Sequence, residues 1–447
     1  MPSGVSMGLG VGLYSAAVPR PTAFAWGSAP TVRRTGPRRF ELALDESALL
    51  VASSRALYVD GVNGNDAWSG ASPTIGGPNG PKKSISAAIN LWNVNQTIYV
   101  KSGWYPVTRS WTGGVPFNGN VNVIAVDDLN NPRPGTGRVT SSVSEDVVTL
   151  AWANLGGGVW SAPLANAPYA VVDRATATPT WFTLCALAGD VNVPGEYHYG
   201  AGTITVATLT GAAPGATLRI LRDAVHNGWL NTALDVTTVG LTFEGGGNLR
   251  AWWAQDAGTV TFIDCCFELS KSVGCELNAN VAAATHTVRH IRSVARWNTA
   301  DGLSYTALGA GEGYRVVEYD CLALENGRNA GSNQGSSAHW FAGNGAHYIM
   351  RVGGRYAGNE AQEIADAAGA GAGALKTWML GCQLDGGTVA GNGYELSGDG
   401  AAWLDHCRID RVVNPLATDN AAGIVRVFGT AQRTATGPGT VADYTPS

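Results

Sequence analysis

Four asparagines hold the same place in four successive, similar segments. Asn298 in ARWNTADGL, Asn326 in ALENGRNAG, Asn359 in RYAGNEAQEI and Asn392 in TVAGNGYEL each follow a short apolar strand and open a turn, at intervals of 28, 33 and 33 residues. A repeat of that length, made of strands with almost no helix signal between them, is what the stacked coils of a parallel β-solenoid require. Equivalent turn residues in such a stack lie one strand spacing apart, roughly 4.8 Å. Their side-chain amides can then hydrogen-bond as a ladder along the axis. The pattern predicts that ladder, and with it the register of every other residue.

Composition fits a long solenoid. The chain has 447 residues, of which 45% are hydrophobic, enough for an extended core and for two or three structural units. Sixty glycines mark many turns and short strands. A net charge of -5 and a pI near 5.8 argue against a nucleic-acid partner, which needs a basic face. Cys265, Cys321, Cys382 and Cys407 recur in strand segments, and no Cys-x-x-Cys pair occurs. Small buried residues stacked inside a solenoid account for them better than disulfides or metal ligation do. We therefore expect no metal and no cofactor.

No stretch approaches the roughly 18 apolar residues of a membrane-spanning helix, so no membrane insertion is expected. The mildly apolar VSMGLGVGLYSAAV has no basic residue before Arg20 and is broken by glycines, so it does not read as a secretory signal. Residues 1–55 are rich in Gly, Ala, Pro and Arg without a clear period and read as an N-terminal arm.

A new pattern begins at Leu57. A strand and a turn-dense loop in ALYVDGVNGNDAWSG precede a short amphipathic helix in GPKKSISAAINLW and a returning strand in QTIYVKSGWYPV. Tyr58-Val59-Asp60, Gly64-Asn65-Asp66, Gly70, Ser84-Ile85, Ala88-Ile89, Ile98-Tyr99-Val100 and Gly103-x-Tyr105 stand in an order that resembles the first coil of right-handed parallel β-helix proteins, the pectate-lyase-like group that includes bacteriophage tail fibres and tailspikes and secreted polysaccharide-active enzymes. The resemblance implies an all-β, right-handed, single-stranded parallel β-helix whose open end is capped by the helix. It also implies carbohydrate as the contact and a homotrimer as the assembly. The Asp60-to-Asp66 loop lacks the Gly and Glu of a calcium loop and reads as a turn held by Asx hydrogen bonds.

The organisation expected is an arm over 1–55, the first coil and capping helix over 56–134, an inserted antiparallel β subdomain over 135–228, the main parallel β-helix over 229–430 and a tail over 431–447. The insert is read from short alternating runs such as GEYHYGAGTITVATL.

Familiar catalytic motifs are absent: there is no G-x-S-x-G elbow between a strand and a helix, no H-E-x-x-H and no P-loop. A β-helix enzyme acting on polysaccharide needs paired carboxylates or a base. Counting from the turn asparagines, Asp366 and Asp399 fall at one position in adjacent coils, roughly 5 Å apart, which suits a retaining pair. Glu363 and Glu395 form a near-register pair, whereas Asp301 and Glu395 fall about 14 Å apart, too far for either glycosidase geometry. The polar segment NAGSNQGSSAHW resembles a stretch in phage β-helix proteins of this type, and places His339 with Asp301 and Asn329 as an acid/base or sugar-binding group. Where such relatives carry an acid after that histidine this chain has Trp340, which favours binding over catalysis. Trp378 and Trp403 lie in strand runs and suit the core; Trp252, Trp253, Trp297 and Trp340 are candidate sugar-stacking platforms.

The reading that follows is a bacteriophage virion protein, a tail fibre or tailspike. Residues 1–50 would dock it to other tail or baseplate proteins, and its β-helix would face host surface polysaccharide. It would be made in the host cytoplasm and carried on the particle. A polysaccharide depolymerase using Asp366, Asp399 and His339, or a capsid-decorating spike, are the alternatives. Fold leaves that choice open, because function sits in the site.

Overall fold

The computed structural model describes residues 16–91, 94–107, 119–222, 227–230, 234–246, 250–254, 258–279, 285–307, 313–328, 334–340, 346–368, 375–386, 391–419, 421–430 and 434–444. Among them three parallel sheets run the length of the chain: a long sheet of twelve strands, a second of nine and a third of nine. One coil takes one strand from each in turn. Thr285–Ile291, Val294–Arg296 and Leu303–Ala307 form a coil, and Gly313–Tyr319, Leu322–Leu324 and Gln334–Trp340 form the next. They stack in register, Val288 on Val316, Ala295 on Ala323 and Leu303 on Ser336. The chain is thus an all-β parallel β-helix, and its unreversed strand order is consistent with the right-handed connection that twisted parallel strands favour.

The turns explain the sequence repeat. A residue at positive φ follows the long-sheet strand in successive coils, namely Gly240, Asp264, Arg292, Asp320, Gly353 (with Gly354 beside it), Gly381, His406 and Gly429. This left-handed kink turns the next residue inward, and the recurring cysteines sit there: Cys265, Cys321, Cys382 and Cys407 are buried, with thiols directed at backbone carbonyls. A second positive-φ column, Gly245, Leu269, Trp297, Glu325 and Gly358, lies between the second and third sheets.

The asparagine ladder follows that second column. Asn298 Nδ2 donates to Asn326 Oδ1 at 2.9 Å, and Asn326 Nδ2 donates to Asn359 Oδ1 at 2.9 Å, all three side chains being buried. A Cβ on Gly302 or Gly335 would come within 2.8 or 2.5 Å of the neighbouring asparagine amide, so the ladder requires glycine beside it. In the next coil Glu363 replaces that glycine, and its carboxylate takes the Asn359 amide and ends the run. Asn392 is not a rung. It pairs in register with Gln362 and belongs to a different amide chain. Second-sheet strands Arg355–Ala357 and Gln383–Asp385 align residue for residue, so the equivalent of Asn359 is position 387, outside the described residues. Asn392 is instead the first residue of third-sheet strand Asn392–Ser397.

The first coil stacks Arg55–Val59 on Gln96–Lys101 and that on Val121–Val126. Helix Ile85–Ile89, capped by Ser84, buries Ile85, Ala88 and Ile89 against it. Asp60 accepts from the Val62 and Asn63 backbones and from Lys101, which holds the loop as an Asx turn.

An antiparallel module interrupts the helix, with strands Val159–Pro163, Glu196–Gly200 and Thr203–Ala207 around a small core of its own. It is fastened to the second sheet by Glu244 and Glu268, both fully buried. Glu244 takes Ser142 Oγ, Arg219 Nε and Arg174, while Glu268 takes Arg174 and Arg296 Nε.

The N-terminal segment is not a free arm from residue 16 onward. Hairpin Val32–Gly36 and Arg39–Leu42 lies on the outer face of the long sheet, where Phe24, Trp26 and Phe40 cover Met350, Trp378 and Trp403. Glu46 meets Arg292, and Val51 exchanges two backbone-to-side-chain bonds of 2.8 Å with Asn122. Apolar residues on the outward positions of the long sheet demand a cover, and the chain supplies it. The expected docking segment is therefore largely occupied by the solenoid itself; residues 1–15 lie outside the described residues.

Candidate functional site

Side chains alternate along each strand of the third sheet. Inward go Cys275, Leu277, Leu303, Tyr305, Ser336, Ala338, Ile364, Asp366, Tyr394 and Leu396, all fully buried or nearly so. The positions between them face away from the lumen: Glu276, Ser304, Ser337, Ala365 and Glu395 form one row, and Asn278, Thr306, His339, Ala367 and Ser397 another. Glu276, Asn278, Ser304, Ser337 and Ala365 are buried there, and Thr306, His339, Ala367, Glu395 and Ser397 are half-buried.

This alternation separates the proposed catalytic pair. Asp366 faces the lumen, where both its oxygens accept from the Arg351 guanidinium at 3.0 Å and one also accepts from Thr377 and Tyr394. Its register partner is Leu396, and Asp399 lies beyond the end of strand Asn392–Ser397, half-buried in the turn. Counting from Asn392 as though it were a rung caused the error. Glu363 and Glu395 are likewise two positions out of register.

Around Asp366 the lumen holds a polar network that sequence reading missed. Glu318 accepts from Tyr305 Oη at 3.0 Å, Ser336 Oγ at 2.7 Å, Arg351 Nε at 3.3 Å and Tyr356 Oη. Burial pushes the Tyr305, Tyr356 and Tyr394 hydroxyls well above their usual range, so they stay protonated donors. The available signal was parity: Glu318 and Arg351 share strand phase with buried Val316 and Ile349. Fully enclosed, this network has no path to a polysaccharide.

The outward rows do bring some of the expected residues together. Asp301, nearly buried at the start of the third sheet, accepts from Gln334 N at 2.8 Å and Ser337 Oγ at 3.0 Å, and Ser337 Oγ meets Ser304 Oγ at 3.1 Å. Burial raises the Asp301 carboxyl; the Gln334 and Ser337 donors and His339 oppose that, and Glu276 adds to it. Glu276, Asp301 and His339 thus share one electrostatic neighbourhood across three coils. An amide chain continues it: Gln334 Nε2 to Gln362 Oε1, Gln362 Nε2 to Glu395 Oε2, Asn392 Nδ2 to Glu395 Oε2 and Asn414 Nδ2 to Asn392 Oδ1, at 2.7 to 2.9 Å. From Glu276 to Asn414 the stripe crosses five strand spacings, about 24 Å.

Trp297 is not a sugar platform. It is only 7% exposed, wedged between the second sheet and the inserted module, with Arg296 4.0 Å over its ring and its Nε1 on Glu325. Trp252 and Trp253 lie in third-sheet strand Arg250–Ala254 and Trp340 ends strand Gln334–Trp340, but their side chains are outside the described set, as is Asn329. Trp378 and Trp403 are buried under the N-terminal segment.

Neither a family model nor a curated protein sequence matches this chain. Among solved structures, a glycoside hydrolase superposes with TM-score 0.52 at 9% identity, covering 87% of this chain and 96% of that one. A complex of XylC with xylose gives 0.49 at 10% identity over 87% and 70%, and pectate lyase Pel9A gives 0.39 at 15% identity over 87% and 80%. At such identity the glycoside hydrolase likeness is one of fold, and it agrees with the parallel β-helix described above. The class shown is thus one of architecture, the all-β parallel β-helix.

Proposed function

We propose that this chain is a glycan-binding protein of a bacteriophage virion, a tail fibre or tailspike, that holds host surface polysaccharide along the outer face of its third sheet. The observation that carries the reading is the polar stripe from Glu276 to Asn414, whose half-buried members His339, Gln362, Asn392, Glu395 and Asn414 offer a carboxylate, amides and an imidazole suited to sugar hydroxyls. Supporting it, Asp366 is engaged in the lumen and both Asp301 oxygens already bridge coils, which leaves the stripe better equipped to hold than to cut. The virion setting rests on the first-coil resemblance, and a homotrimer would give a one-dimensional binder avidity.

Ala367 faces outward in the stripe and takes no part in its hydrogen bonds, so Ala367→Arg blocks the surface without unmaking it. In affinity electrophoresis through a panel of bacterial surface polysaccharides, the unmodified chain is expected to be retarded by at least one, and Ala367→Arg to lose that retardation about tenfold. Retention by none of them, or unchanged retention of the variant, sinks the proposal. Sedimentation should give three times the 46.3 kDa chain mass.

A depolymerase is the second reading, favoured by one observation, the raised Asp301 carboxyl beside Glu276 and His339. Release of reducing ends from a retained polysaccharide, abolished by Asp301→Asn or His339→Ala, would establish it in place of the binder.

A further inference from the structure

A second groove, on the other side of the molecule, is built by the N-terminal segment where it crosses the long sheet. Its cavity of about 340 Å³ is walled on one side by Leu49, Leu50 and Val51 and on the other by the sheet. That segment is fixed there by the two Val51–Asn122 bonds and by Thr237 Oγ1 donating to Leu49 O at 2.9 Å.

The floor is an Asx ladder distinct from the one at the second turn. Asn95 Oδ1 accepts Asn120 N at 2.8 Å, Asn120 Oδ1 accepts Asp235 N at 3.0 Å, and Asp235 Oδ1 accepts Thr259 N at 2.8 Å. Committing each Oδ1 to the coil above fixes the other end of each side chain. The Nδ2 donors of Asn95 and Asn120 and the second oxygen of Asp235 form no hydrogen bond among the described residues.

Arg289 closes the groove, one coil beyond Thr261 in the outward column Asn122, Thr237, Thr261, Arg289. Its guanidinium is half-buried, and its hydrogen bond among the described residues is a single long one, Nη1 to Thr261 Oγ1 at 3.5 Å. Burial pulls that guanidinium below its ordinary value, and Asp235 offsets only part of the pull. Elsewhere on the same face Arg292 is matched by Asp264 and Glu46, whereas Arg289 and Arg315, its register neighbour in the next coil, form no ion pair among the described residues. A planar fork of five donors, with amide donors beside it and an apolar wall opposite, is the recognition chemistry for a carboxylate carried on a compact ring.

We propose that this groove binds an acidic saccharide, the carboxylate of a hexuronate unit paired with Arg289, its hydroxyls with Asn95, Asn120 and Asp235, and its ring face against Leu49 and Leu50. The site is separate from the third-sheet stripe but shares with it the reading of the chain as a glycan binder.

The test is calorimetric titration of the full chain with a short hexuronate oligosaccharide, its methyl ester and inorganic phosphate. The acid is expected to bind at least tenfold more tightly than the ester, and Arg289→Gln to remove that preference. Asn120→Asp keeps an acceptor for Asp235 N, so the ladder survives, and places a negative charge against the ligand; it should weaken the acid several-fold and spare the ester. Equal binding of acid and ester, or an unchanged Arg289→Gln, overturns the assignment, and so does phosphate competing as well as the uronate. Ala367→Arg should leave uronate binding intact, so loss at one site is distinguishable from loss at the other. Thermal melts of both groove variants within a few degrees of the unmodified chain exclude unfolding as the cause.

Discussion

Arg351→Met tests the lumen network most directly. Arg351 has no exposed surface, and its guanidinium makes two bonds of 3.0 Å to Asp366, one of 3.0 Å to Ser336 and one of 3.3 Å to Glu318. Methionine keeps most of the volume and removes the charge. Two carboxylates without accessible surface then share the core with no cation, although Glu318 keeps Tyr305, Ser336 and Tyr356 and Asp366 keeps Thr377 and Tyr394. Breaking a buried pair costs about 3–5 kcal/mol, and here one removal strands two partners, so we expect the upper end, about 4–5 kcal/mol. Neutralising the stranded groups as well, in Arg351→Met with Glu318→Gln and Asp366→Asn, should return most of that, leaving a loss of about 1–2 kcal/mol. Urea unfolding followed by circular dichroism measures both as shifts in midpoint at constant slope. Hydrogen exchange over strands Gly313–Tyr319, His347–Val352 and Gln362–Ala368 localises the damage, since a solenoid couples mainly neighbouring coils. A loss under about 1 kcal/mol for the single variant, or a triple variant no more stable than the single, would refute the claim that the ion cluster is held by mutual compensation.

Three further outcomes follow from the geometry. Burial raises the Glu363 carboxyl to about 7, so the folded chain holds that proton more firmly than the unfolded chain does. The stability it supplies is complete below the ordinary carboxylate range and is lost as pH rises through about 7, a change of roughly 3 kcal/mol that Glu363→Gln should flatten; parallel pH slopes for both chains between pH 5 and 8 would contradict this. Asn326→Ala leaves the buried Asn298 N–H and Ala295 carbonyl without their ladder partner and should cost about 2–4 kcal/mol in chemical denaturation; a cost near zero would mean that the ladder decorates rather than fixes the turn. Phe24→Ala empties the ring site against Tyr348, Trp378 and Trp403, a change that costs about 3–5 kcal/mol in a core. Protease sensitivity confined to residues 16–50 should rise, and the full deletion of that segment should expose the outer tryptophans and aggregate; a soluble, monodisperse truncation would show that the cover is dispensable.

What the sequence determined by itself was the repeat and its chemistry. Asn298, Asn326 and Asn359 declared a turn every coil, the cysteines declared an inward position after it, and the order from Tyr58 to Tyr105 declared a capped first coil. These are local signals: one residue type answers one backbone conformation or one hydrogen bond, and stacking merely copies the answer. Which way each side chain faces was decided only by the tertiary structure. A strand side chain reverses face with each one-residue slip, and the connections between sheets vary in length, so a count carried from Asn359 to Asn392 misplaced Asp366 and Asp399. The same limit hid Glu318 and Arg351, distant in sequence and joined only across the lumen, and hid the return of residues 16–50 onto the long sheet. Apolar outward residues such as Met350 and Trp378 demand a cover whatever it is, and composition alone does not say that the chain's own N-terminal segment provides it.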